Sequence, residues 1–562
     1  MANYKLEKIY SFIIIFFFFI SYILYSFLEP PIYTLSTTPG DTFYYLVYGR
    51  EAADLRFFSW NGLYPSNGFH PLWLVFVTLS FSISQNLVIV IYLLSIFLFV
   101  FFILALWYFY KISQIYNDRL VQIISTFLFA ILATKYFFWY MESALSVVLF
   151  LGYIYYVIYK FILKNKKNIL ISFNIGIISS LIALSRLDLV LLISPLHGYL
   201  IFSSLLQKNL KAAFALALPP VLIVGGYILL IYLITGSPVP LSGLIKSNFP
   251  NVFQNLDWSA LLTRQIKYGI LAITIALICA IGSTILTKFI KKELILFKLK
   301  AYLKIIYFLL IGTFLHTLYH IAFSKIGSVG RWYFIVHLNV SILSISLFLY
   351  YLKIFFETNF INYYIFKKAI LYTTIVITLP IIFYNTIGLR KSIEYKYDTP
   401  YKKMEYKKKE PYAVMKFVEM LNKKKFDKST KIFDGTDGSF AFFSKIPTYH
   451  KKGMAATPGY IFKKKNFLKQ FPNDYQSLDD ALNEFVRKFL LEEKIKYVLV
   501  SRASKIHFSR KFKTNAENNL LEKCIKDVSE YNMIESDEEF ITYFYLVKTE
   551  TYLQNINVCK GL

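Results

Sequence analysis

Cysteine is nearly absent: the 562 residues contain three. A framework of several disulfides is therefore excluded. Cys279 falls within an apolar block; Cys524 and Cys559 lie near the C-terminal end, where one bridge is open in an oxidising compartment but no spacing requires it. Acidic residues are also scarce, 34 against 62 lysines and arginines, a net charge of +28. That excess does not point to nucleic acid, since the chain has no basic helix and no nucleic-acid-binding motif. There is no P-loop, no dinucleotide-binding glycine fingerprint and no nucleophile elbow. Internal repeats are missing as well, which counts against a transporter built from paired halves.

Long apolar runs dominate what is present. Hydrophobic residues make up 56% of the chain and the mean hydropathy is +0.49. The runs approach the roughly 20 residues needed to cross a bilayer. Candidate spans are 9–28, 87–110, 121–138, 142–163, 169–184, 189–206, 212–234, 268–290, 303–323, 331–352 and 369–389, about eleven in all. The first has too long an apolar core for a signal peptide and no small-residue cleavage site, so it is expected to be retained. With the N-terminus cytoplasmic, the short inner segments carry roughly nineteen cations, from Lys5 and Lys8 through the 288–304 cluster to Lys367 and Lys368. The outer loops carry about eight, which agrees with the positive-inside rule. The tail after Arg390 then falls outside despite its lysines, because long segments cross largely regardless of charge. Its lysine runs at 407–409, 423–425 and 463–465 fit either an anionic membrane surface or a simple solvated face.

The fold class expected is an α-helical multi-pass membrane bundle over 1–390, with long external loops at 29–86 and 235–267 and a small C-terminal α/β extracytoplasmic domain over 391–562. Within the first loop, Pro71 opens an apolar stretch short for a span, which fits a helix along the membrane surface. In the tail, Pro411 to Lys424 patterns as a helix, with Val414, Phe417, Val418 and Leu421 apolar. Residues 431–433, 495–501 and 540–548 pattern as strands, and 477–494 as a helix with Ser477 and Asp480 at capping-box spacing.

Chemistry concentrates in the first external loop. Gly40-Asp41-Thr42-Phe43-Tyr44-Tyr45 and Asn61 to Trp73 read as a polar, turn-rich, aromatic loop between apolar helices. Asp41 suits either a general base placed at head-group depth or a simple turn former after Pro39-Gly40. Glu142 stands at the start of a span, as a site residue or as an acid favoured by the helix dipole. Arg186 and Asp188 interrupt apolar sequence, either as functional charges or as a mutual ion pair fixing a turn. Lys246 and Arg331 are placed either to bind a phosphate or to anchor their segments at the interface. His70, His316, His320 and His337 are candidate relays or ligands. His316 and His320 share a helix face at i, i+4, but the sequence supplies no evident third metal ligand.

At these residues the chain resembles the GT-C class of membrane glycosyltransferases, which includes aminoarabinose transferase and protein O-mannosyltransferases. The likeness is to bacterial members with an Asp-Asp-x-Phe-Tyr-Tyr start and an Asn-Gly-x-x-Pro-Thr-Asn-Gly-Phe-His-Pro-Leu-Trp continuation. Asp41 to Tyr45 and Asn61 to Trp73 match nearly throughout, with Ser66 in place of threonine. Segments 141–145, 185–188, 240–247 and 330–333 recur in the same pattern, and the tail resembles the group's small outer domain. The resemblance implies a plasma (inner) membrane enzyme that transfers a sugar from a polyprenyl-phosphate donor to a lipid, protein or glycan acceptor outside. It implies Asp41 as the catalytic base, and Arg186, Lys246 and Arg331 as contacts to the donor phosphate. Tyr44, Tyr45, Asn67, His70, Glu142 and Asp188 complete the expected substrate-binding set. No metal or other cofactor is required by any motif. Two departures stand out: Gly40 occupies the place of the first aspartate, and Tyr449-His450-Lys451-Lys452-Gly453 replaces an Asn-Leu-Asp-Gly-like segment. The first leaves Asp41 as base or as a positioning residue. A polyprenyl-linked glycan flippase, a glycan polymerase or ligase, and an inactive GT-C-like scaffold remain as alternatives.

Overall fold

The computed structural model describes Leu35, Gly62 and residues 40–55, 58–60, 64–116, 118–137, 139–162, 168–246, 266–290, 293–324, 330–359, 410–434, 439–450, 485–505, 532–537 and 540–550. The expected spans 9–28 and 369–389 and the Cys524–Cys559 pairing lie outside these residues.

The described chain is mostly helical. Helix α1 is Asp41–Leu55, α2 Pro71–Ile83, α3 Leu87–Ser113, α4 Arg119–Phe137, α5 Ser143–Tyr155, α6 Ile169–Ser185, α7 Leu189–Leu206, α8 Leu210–Pro219, α9 Gly225–Thr235, α10 Leu241–Lys246, α11 Ile266–Thr287, α12 Glu293–Phe323 and α13 Ile335–Asn359. Six segments among the described residues are long and apolar enough to cross a membrane: Leu87–Tyr116, Leu189–Leu206, Leu210–Thr235, Ile266–Thr287, Lys298–Phe323 and Trp332–Thr358. Helices Pro71–Ile83, Arg119–Ala130, Ser143–Tyr159 and Ile169–Ser185 are apolar but shorter. Leu206, Leu210, Phe214, Val221, Leu222 and Leu233 are each more than half exposed on the outside of the bundle. An apolar outer surface of that kind suits lipid rather than water.

Local sequence explains the helix ends. Asn86, Asn168 and Asn209 each turn a side-chain carbonyl back onto a first-turn backbone N–H of α3, α6 and α8. Pro71 takes the first position of α2, where its missing N–H is harmless. Pro219 and Pro220 cannot donate, and the helix runs through a π-helical stretch, Pro220–Val224, before α9 resumes. Gly236, at φ +72°, closes α9 in the left-handed conformation. At the end of the bundle remote from Asp41, Lys353 of α13 joins Asp118, whose other oxygen caps Val121 of α4.

Two features of α1 and α12 decide where the charged side chains meet. Residues 40–45 are not a loop as their composition indicates: only Gly40 is in a turn, and Asp41 opens α1. The turn formers mark the helix boundary, while Phe43, Tyr44, Tyr45, Leu46, Val47 and Tyr48 are all buried. In α12, Gly312 lies so close to Leu192 of α7 that an added Cβ would stand 1.8 Å from the Leu192 carbonyl oxygen. Only glycine allows that approach.

Downstream of residue 410, helix α14 (Glu410–Lys423), β1 (Ile432–Asp434), α15 (Ser439–Ser444), β2 (Thr448–His450), β3 (Tyr497–Lys505), β4 (Asn532–Asp537) and β5 (Phe540–Lys548) are described. The strands form one sheet in the order β2-β1-β3-β5-β4. β1 pairs in parallel with β2 and β3, and β5 pairs antiparallel with β3 and β4. Val414, Phe417, Val418 and Leu421 of α14 pack on Ile432, Phe440 and Leu499, the face their spacing predicts. α15 also touches the bundle: Phe442 and Phe443 each lie 5.9 Å from the Phe43 ring.

Candidate functional site

The ends of α6 and α12, the starts of α1, α2, α5, α7 and α9, and the short helix α10 converge around one cavity of about 520 Å³. Asp41, Tyr44, Tyr45, His70, Glu142, Arg186, Asp188, Lys246, His320 and Tyr333 are among its polar lining. Val190, Leu191, Val224, Ile228, Pro238 and Val239 are among its apolar lining. An amphiphile with a charged head fits such a space by chemistry alone.

Asp41 and Lys246 form one charged group, with Nζ 2.9 Å from Oδ2 and side-chain exposures of 26% and 19%. Burial alone would favour the neutral amine, but the Asp41 carboxylate and the Tyr333 hydroxyl together outweigh it and raise the Lys246 pKa. Thr42 holds this end of α1 by donating to the Trp139 carbonyl at 3.0 Å.

The second group is centred on Arg186, whose side chain is 2% exposed. Its Nε and Nη2 donate to the two oxygens of Asp188 at 3.1 and 2.6 Å, a fork that matches the carboxylate. Nη1 reaches Glu142 Oε1 at 3.3 Å, and the guanidinium lies 3.9 Å over the Tyr333 ring. Tyr45 donates to the other Glu142 oxygen at 2.9 Å. Burial opposes ionisation of both Arg186 and Asp188, yet their pairing prevails: the Arg186 pKa is raised and the Asp188 carboxyl is held well below the usual range. His316 and His320 add to this, each placing Nε2 beside Asp188 Oδ2, at 3.2 and 3.1 Å. Burial lowers the pKa of His70, whose Nε2 stands 3.9 Å from Glu142.

Eight of the ten residues in the expected catalytic and substrate-binding set thus line the cavity. Asn67 does not: it is buried behind the wall, where its amide bonds Thr235 Oγ1 and the Leu241 backbone N–H and so ties the first loop to α10. Arg331 opens a 3₁₀ turn, Arg331–Phe334, leading into α13; its side chain lies outside the described residues. Sequence reasoning paired His316 with His320 but left them without a third partner, and it did not assign Tyr333. Asp188 is that partner, and Asp188, His316 and His320 form the cluster among the described residues able to hold a metal. The pairing is separated by 128 and 132 residues, so no motif spacing could reveal it.

No family model matches this chain, and no curated protein matches it significantly.

Proposed function

We propose that the protein is an integral-membrane glycosyltransferase that moves a sugar from a polyprenyl-phosphate donor to an acceptor on the extracytoplasmic face of the plasma membrane. The full reading includes about eleven spans and an outer α/β domain. What supports it is that Asp41, Lys246 and Arg186 open onto one cavity whose lining combines these charges with apolar residues. The apolar residues suit the first isoprene units and the charged residues the phosphate-linked sugar. Lys246 turns from Asp41 to the arriving phosphate, which frees the carboxylate. Asp41 then takes the proton of an acceptor hydroxyl or amine as that atom attacks the anomeric carbon. The bond from that carbon to the phosphate oxygen breaks, polyprenyl phosphate leaves, and Lys246 and Arg186 stabilise its growing negative charge. A single displacement inverts the anomeric centre.

The test is release of polyprenyl phosphate from a panel of polyprenyl-phosphate sugars, with membrane extract as acceptor, by the parent chain and by Asp41→Asn. Turnover by the parent and its loss in the variant are expected. Turnover by both would keep the reaction and move the base elsewhere. Donor binding without turnover by the parent would overturn the reading in favour of a flippase or an inactive scaffold.

A further inference from the structure

Asp188 Oδ2 is over-committed. It receives Arg186 Nη2 at 2.6 Å, His320 Nε2 at 3.1 Å and His316 Nε2 at 3.2 Å. An ionised carboxylate offers about two lone pairs per oxygen. Once Arg186 has taken one, two imidazoles are aimed at the other. A single cation between the three atoms resolves the conflict, because both nitrogens and the remaining lone pair can bind it together.

The oxygen–nitrogen edges agree. A tetrahedral zinc with bonds of about 2.0–2.1 Å has ligand atoms roughly 3.3 Å apart. The oxygen–nitrogen edges here are 3.1 and 3.2 Å, and all three ligand atoms lie within 4.8 Å of one another. His320 is also oriented from behind, its Nδ1 2.8 Å from Ser324 Oγ, the outer-shell contact that metal-binding imidazoles commonly make. Asp188 and His320 line the cavity while His316 is fully buried, so the fourth position faces the cavity. Arg186 already occupies a lone pair of Asp188 Oδ2, which leaves few protein donors for an octahedral ion needing more ligands. Imidazole donors further favour zinc over magnesium or calcium.

We propose that Asp188, His316 and His320 bind one zinc ion with an open coordination position directed into the cavity. The donor set, two histidines one helical turn apart plus a carboxylate from another element, is one that zinc uses when it keeps a site for an exogenous ligand. A phosphate oxygen or a water fits that place. Gly312 and Leu192 lie one turn from His316 and Asp188 respectively, so their close contact holds the triangle at its size.

The measurement uses the full chain in detergent with a histidine-free tag, stripped by chelator and titrated with Co(II) and then Zn(II). The expected result is one cobalt per chain with intense tetrahedral visible bands that zinc removes. The double variant His316→Gln/His320→Gln is expected to lose both the bands and the zinc while keeping its helical circular dichroism. Ser324→Ala should weaken zinc by about 10–100-fold. If the double variant aggregates, zinc-edge X-ray absorption of the parent decides: two imidazoles and an oxygen support the site, and a shell without imidazole overturns it. Failure of the parent to take up zinc, uptake of magnesium alone, or unchanged zinc in a folded double variant would each overturn it. Metal uptake is read without turnover, so its failure leaves the transferase reading standing.

Discussion

The two charged groups facing the cavity are built differently. Around Arg186, the side chains of Glu142 and Arg186 are 1% and 2% exposed and that of Asp188 is 13% exposed, with every charge answered by at least one directed hydrogen bond. Asp41 and Lys246 meet through one contact, with Tyr333 also beside Lys246, and keep 26% and 19% of their side-chain surface. Breaking a buried pair strands a charge in low dielectric, whereas a part-exposed pair has water to fall back on. The first group is therefore a fixed framework. On the proposed reading, the second exchanges partners when an anion arrives, leaving Asp41 to act as the base.

The sharpest way to break that contrast is Arg186→Ala, which leaves the Glu142 and Asp188 carboxylates without their cation. It is expected to destabilise the fold by about 3–5 kcal/mol, read as a lower midpoint of thermal unfolding in detergent. Arg186→Lys should recover little, since an ammonium cannot form the fork. Asp41→Asn should do the reverse: a fall of about 10²–10⁴-fold in transferase kcat with the unfolding midpoint nearly unmoved. Gly312→Ala forces α7 and α12 apart and is expected to cost about 1–3 kcal/mol, with a matching fall in zinc uptake. Lys246→Ala should change stability by no more than about 1 kcal/mol while weakening donor binding. The smallest effect is on pH. Burial lowers the pKa of His70, so the folded state prefers the neutral ring. Its contribution is complete above about pH 6.5 and declines as pH falls from there toward the folded value. His70→Gln should flatten that part of the stability profile.

Much of the bundle was legible because lipid imposes composition. The apolar blocks at 87–110, 189–206, 212–234, 268–290, 303–323 and 331–352 coincide with the six helices long enough to cross. Helix α1 was not legible: its buried residues form no single stripe, because α2, the Trp60 ring and α15 contact it from different sides. In the sheet, β2 and β4 escaped notice, one being three residues long and the other, Asn532–Asp537, largely polar. The charged residues of the site were legible because ionisable groups at the ends of apolar helices are conspicuous. Their grouping was not. Asp188 meets His316 and His320 only because Gly312 lets α12 settle against α7, and that is a property of packing rather than of any local pattern.

Helix α1 carries Asp41 at one end and is gripped along one face by α15. Phe43 packs on Phe442 and Phe443, and two turns later Arg50 donates to the backbone carbonyls of Phe442 and Ala441. Carbonyls are present whatever residue bears them, so Arg50 recognises the shape of α15 more than its spelling. The consequence is for modularity: residues 439–444 act as a splint for the helix that bears Asp41. A chimera that grafts a foreign tail onto this bundle should keep its place in the bilayer yet misalign Asp41, unless residues 439–444 travel with the graft's new host.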